Sequence, residues 1–146
     1  MKKSILILGL VVSGITASFA HDRGDISNNV ITSFSKDFAN AREVRWDNTK
    51  DFVKATFSVD NQVMFAYYAV NGDLIAVTKY LSPAALPINQ NSSLKKNYGN
   101  YWISDLFELN AGNESSYFVT LEDENTRLIL KSVNSSDWEV YRKEKK

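Results

Sequence analysis

His21 is the one histidine of this 146-residue chain, and the chain has no cysteine. A metal site built from nitrogen and sulfur ligands therefore has too few members. Nucleophilic catalysis needs Ser, Thr or Cys beside a base that is held in place. His21 stands at the expected start of the mature chain, where a residue is poorly held. No Gly-x-Ser-x-Gly, phosphate-binding loop or dinucleotide fingerprint occurs, and six dispersed glycines are too few to build one. Glycoside hydrolysis would require only two carboxylates. Asp47 and Asp51 flank one turn, and Glu122, Asp123 and Glu124 crowd another, where acids are usually solvated and Asp is chosen for backbone reasons. The expectation is no enzyme, no catalytic residue, no metal and no cofactor.

What remains is aromatic surface. The chain has three Trp, seven Tyr and eight Phe. Phe52, Tyr68, Tyr80, Trp102 and Tyr141 fall on predicted strand faces opposite the predicted core. Such residues can be buried between half-units or in cross-strand pairs. Left exposed, they form a face that favours protein recognition.

Two helices and a set of strands must position them. Val30, Ile31, Phe34, Phe38 and Ala41 recur at helical spacing, with Ser27 or Asn28 able to cap the start. Glu43 to Asp47 then alternates, and Val53, Ala55, Phe57 and Val59 share one strand face. Runs from Gln62 to Val70 and from Leu74 to Leu81 flank Asn71-Gly72, a hairpin signal because both residues accept positive φ. Ser82-Pro83 closes this half. Ile88, Asn91, Leu94, Lys95 and Tyr98 predict a second helix after Pro87, with Gly99 as its stop. Strands follow over Tyr101 to Leu109, Ser116 to Glu122, Thr126 to Val133 and Asp137 to Lys143. Phe38 laid on Tyr98, and the Asn71 turn laid on the Asn134 turn, give an offset of about 60 residues, the mark of a tandem repeat. The predicted fold is α+β: a tandem repeat of helix plus antiparallel sheet, helices on one face, with repeats over 21–82 and 83–146.

The amino-terminal 20 residues predict an export signal. Lys2 and Lys3 precede the apolar run Ile5 to Val12, and Ser18-Phe19-Ala20 offers a cleavage site near Ala20. The run is shorter than the roughly 20 residues of a membrane span. No lipobox cysteine follows it. The mature product is expected in the periplasm or secreted, without stable membrane insertion. Loss of Lys2 and Lys3 leaves 15 basic against 17 acidic residues, a net charge of −2, which argues against nucleic acid as a partner. The tail Arg142-Lys143-Glu144-Lys145-Lys146 reads as a solvated end.

Several local features in order resemble a known family. They are Phe38-Ala39-Asn40-Ala41, Val44-Arg45-Trp46, the stretch Phe57 to Tyr68 with Ala66-Tyr67-Tyr68, the turn Asn71-Gly72-Asp73-Leu74-Ile75, and Leu86-Pro87. Together they look like the PepSY-like, beta-lactamase-inhibitor-like proteins exported by Bacteroidetes. The resemblance implies a tandem repeat in which each helical segment packs on a four-stranded antiparallel sheet and leaves a sheet face that can bind a partner. It implies a protein-binding or inhibitory module with an envelope or secreted protein as partner. A small-ligand or envelope-polymer binder, with aromatics lining a groove, is the other expectation. The inhibitor's disulfides have no counterpart here, and no inhibitory residue is carried over.

Overall fold

Ser27 begins the first element by accepting a hydrogen bond from the Asn29 N–H at 3.2 Å, satisfying a donor the helix itself cannot. The computed structural model describes residues 26–146. The predicted export signal and His21 lie outside the described residues. Two α-helices and eight strands follow in the order α1 (Asn28–Asp37), β1 (Arg42–Asn48), β2 (Val53–Val59), β3 (Gln62–Tyr68), β4 (Leu74–Tyr80), a 3-10 turn (Pro83–Ala85), α2 (Ile88–Tyr98), β5 (Trp102–Ala111), β6 (Glu114–Glu122), β7 (Thr126–Val133) and β8 (Glu139–Lys145). The fold is α+β with antiparallel strands, and strand order follows chain order. Two units divide between Val77 and Thr78, inside β4.

In the first unit α1 turns Val30 and Phe34 onto one side of β1 to β3. The register Val53↔Tyr68, Ala55↔Ala66 and Phe57↔Met64 puts these residues on the helix side, since facing residues of antiparallel neighbours point the same way. Phe34 meets Trp46 and Phe57 edge-on, each at 5.0 Å. Such contacts add about 0.5–1.5 kcal/mol apiece to the area buried.

Turn chemistry differs from expectation in one respect. At Asn71-Gly72 only Gly72 has positive φ, +96°, and its N–H donates to Ala69 O at 2.9 Å, so the loop is a turn closed by a left-handed glycine. Positive φ at two successive residues occurs instead at Asp60 and Asn61, +49° and +65°, between β2 and β3, and at Asn134 and Ser135, +48° and +60°, after β7. Gly72 also passes close to α1: a Cβ there would sit 2.9 Å from Asn29 O.

The second unit holds Leu86 and Leu94 against Leu106, Val119, Leu121, Leu128, Leu130 and Trp138. Trp138 donates from Nε1 to Gln90 O at 3.1 Å, and Gln90 Nε2 donates to Ser136 O at 2.5 Å, which pins α2 to the start of β8. Ile88 is a correction: it is 86% exposed, and Gln90 and Leu94 are the buried residues of α2. A second correction concerns β5. A bulge between Ile103 and Asp105 breaks the alternation, so Leu106 rather than Phe107 joins the helix-side core. The basic tail is solvated as expected but is not a loose end, because it pairs with β7 as strand β8.

Candidate functional site

The register of the second unit sorts its side chains into two faces. Leu106↔Val119↔Leu130 and Leu121↔Leu128 are rows on the α2 side, since these residues share a core with Leu94. The alternate rows, Trp102↔Glu122↔Arg127↔Glu144, Asp105↔Thr120↔Ile129↔Arg142 and Phe107↔Phe118↔Lys131↔Glu139, therefore point away from α2. Leu81 packs on the α2-side core, which turns the preceding Tyr80 to the other side.

Three of the five aromatic residues singled out from the sequence belong to this second unit and are exposed: Tyr80 at 50%, Trp102 at 51% and Tyr141 at 43%. They share that face with an apolar floor. Phe107 and Phe118 are stacked at 5.1 Å with 15° between planes, and with Ile129 they are buried. Tyr141 meets Phe118 edge-on at 5.8 Å, and Lys131 Nζ lies 5.6 Å from the same ring. Tyr141 occupies the irregularity where the pairing shifts between Ile129 and Leu130, which brings it to the Phe118 side.

The other two aromatics are corrections. Tyr68 is fully buried on the α1 side, opposite Val53, and its hydroxyl donates to Asp37 Oδ2 at 3.0 Å. Burial, and then the hydrogen bond to Asp37, push its phenol far above the ordinary range. Phe52 precedes β2 and is 6% exposed, packed edge-on against Tyr67 at 5.6 Å. Neither offers its ring to a partner.

Around Trp102 the cross-strand charges alternate in sign. Lys146 Nζ stands 2.6 Å from Glu122 Oε2 and 4.7 Å from the centre of the Trp102 ring. Arg127 Nε stands 3.2 Å from Glu122 Oε1. The hydrogen bond from Lys146, then that from Ser104 and the neighbouring Arg127, hold the Glu122 carboxyl down at about 2. Glu122 is thus not the solvated turn acid expected of it. Asp123 does serve the backbone: its Oδ1 accepts from the N–H groups of Asn125 and Thr126 at 2.9 and 2.7 Å. The network holds Trp102 in place while half its surface stays accessible, an arrangement suited to recognition because little side-chain freedom is left to lose.

Sequence reasoning missed Asp105 and Phe107, which the Ser104 bulge moves to the face away from α2, and Phe118, which alternation with Val119 and Leu121 places there. The Glu122–Arg127 pair across the Asp123-Glu124-Asn125 turn was legible as opposite charges flanking a hairpin. Among the described residues no group of three or more His, Cys, Asp or Glu is placed to hold a metal ion. No helix among them is long and apolar enough to cross a membrane.

No protein-family model matches the chain, and no curated protein matches it either. Solved structures do. A BLIP-like protein from Bacteroides fragilis superposes with a TM-score of 0.72 at 18% identity, covering 82% of this chain and 85% of its own. A DUF2874 family protein from Bacteroides ovatus gives 0.73 at 16% identity, with 84% and 89% covered. A Bacteroides eggerthii protein provisionally described as periplasmic gives 0.72 at 9% identity, with 84% and 90% covered. The chain is therefore similar in fold to BLIP-like and DUF2874 proteins of Bacteroides.

Proposed function

We propose that the chain is a non-enzymatic, exported module of the PepSY-like and beta-lactamase-inhibitor-like kind, which binds an envelope or secreted protein. Its contact surface is the face of the second unit that carries Tyr80, Trp102 and Tyr141. The observation that supports this best is that three half-exposed aromatic rings fall on the face of the second unit that holds the buried Phe107–Phe118 pair, with Tyr141 directly against Phe118. Rigid aromatic anchors over a dry apolar base are the usual centres of protein interfaces. The likeness in fold to a protein called BLIP-like agrees with a binding role, and the provisional periplasmic description of another neighbour agrees with export.

The experiment compares proteins recovered from an envelope extract by the wild type and by a Trp102→Ala, Tyr141→Ala double variant of equal thermal stability. Recovery of a specific partner falls about tenfold or more in the variant, because truncating two anchors removes roughly 2 kcal/mol or more of binding free energy. Equal recovery of every protein by both would overturn the proposal.

A further inference from the structure

Four acidic residues lie on β5 to β7: Asp105, Glu108, Glu114 and Glu122. Three have a cation at hand. Lys79 Nζ is 3.0 Å from Glu108, Lys131 Nζ is 3.4 Å from Glu114, and Lys146 Nζ is 2.6 Å from Glu122. Among the described residues Asp105 has no ion-pair partner. Yet it is half-buried, and burial pushes its carboxyl above the ordinary range, with the Leu106 backbone N–H pulling the other way.

Asp105 lines an open hollow of about 270 Å³ with Tyr80, Leu81, Pro83, Ile103 and Leu106. The hollow falls below the roughly 300–1,000 Å³ of a small-molecule site, a size that suits one inserted side chain. Its walls are mixed, with Leu81, Pro83, Ile103 and Leu106 beside Tyr80 and Ser104, and its acidic group has lost hydration without gaining a counter-charge, a state that a matching cation would relieve. A long side chain with an apolar stem and a cationic head has both properties such a site asks for.

We propose that this hollow receives one lysine or arginine side chain of the protein partner, its stem against Leu81, Pro83 and Ile103 and its charge on the Asp105 carboxylate. The assignment rests on the protein-binding reading above and names the chemistry the partner must present there.

The test is an NMR titration of the full chain with Nα-acetyl-lysine amide, Nα-acetyl-arginine amide and the neutral Nα-acetyl-norleucine amide. Saturable shifts at Tyr80, Ser104, Asp105 and Leu106 are expected with both cations, with Kd on the order of 1–10 mM for ligands this small. Binding of norleucine amide, and of lysine amide to Asp105→Asn, is expected at least tenfold weaker, while Asp105→Glu stays within a few-fold of wild type. No saturable shift, an equal response to norleucine amide, or an unchanged titration in Asp105→Asn overturns the proposal. So does a response to Ca²⁺ with none to lysine amide. Should Asp105→Asn fail to fold, salt decides: about 500 mM NaCl weakens lysine-amide binding severalfold relative to about 20 mM, and an unchanged Kd overturns the proposal. Because the probes are free amides, failure here leaves the aromatic surface standing. That surface falls only with the Trp102 and Tyr141 variants.

Discussion

Trp102 and Tyr68 show how differently two aromatic strand residues can be used. Trp102 lies in an alternating run and Tyr68 in one apolar on both faces, and neither pattern alone fixes which side the ring takes. What separates them is register: Tyr68 faces Val53 on the α1 side, whereas Trp102 faces Glu122 on the side away from α2. The hydroxyl of Tyr68 is tied to the exposed Asp37, so Tyr68→Phe removes one hydrogen bond while keeping the packing, and water can satisfy the acceptor left behind. The expected cost is about 1 kcal/mol, measured by denaturant unfolding at neutral pH. Glu122 makes a pH-dependent contribution. Its folded carboxyl titrates near 2, below the ordinary 4.5, so the stability it adds is fully present above about pH 4.5 and is lost as pH falls toward 2. Acid unfolding of Glu122→Gln should therefore show a less stable protein at pH 6 and a difference from wild type that closes by about pH 2.

At the scale of elements, the sequence was most legible where periodicity is unbroken. The α1 stripe Val30–Phe34 and the β2 face Val53, Ala55 and Phe57 lie where their spacing put them, because apolar burial and backbone geometry there agree. Legibility failed at irregularities. One extra residue in β5, at the Ser104 bulge, inverts every later side chain of the strand, and no residue type announces it. Ile88 was misplaced because Gln90 and Trp138 fasten α2 through polar contacts that hydrophobic spacing does not register. The Asn71-Gly72 turn was recognised, but its geometry depends on Gly72 alone. Gly72→Ala would force a side chain into φ +96° and to within 2.9 Å of Asn29 O. The expected loss is about 2–3 kcal/mol, seen as a fall in Tm on the order of 10 °C. The strands at the ends of the order are protected by charge: β1 carries Arg42, Glu43, Arg45 and Asp47 with a bulge after Arg42, and β8 carries Glu139, Arg142, Lys143, Glu144 and Lys145. Such edges resist pairing with other chains, which leaves recognition to side chains rather than to strand addition.

For the whole molecule, the α+β architecture and its likeness to BLIP-like proteins were readable from element order and from short ordered motifs, although the solved neighbours share no more than 18% of residues. The proposed contact surface was readable only in part. Tyr80, Trp102 and Tyr141 are exposed as expected, while Phe52 and Tyr68 serve the interior of the first unit. Each unit has its own core cluster with no residue in common, so surface and core substitutions in the second unit can be separated by measuring stability alongside binding. The claim that one face of that unit meets a protein partner is tested most directly by site-specific photo-crosslinking in the native host. A photoreactive phenylalanine analogue is placed at Trp102, at Tyr141 and, as an exposed apolar control on α2, at Ile88. The account predicts the same discrete adduct from the first two positions and none from Ile88. Equal adducts from all three positions, or no adduct from Trp102 and Tyr141, would contradict it.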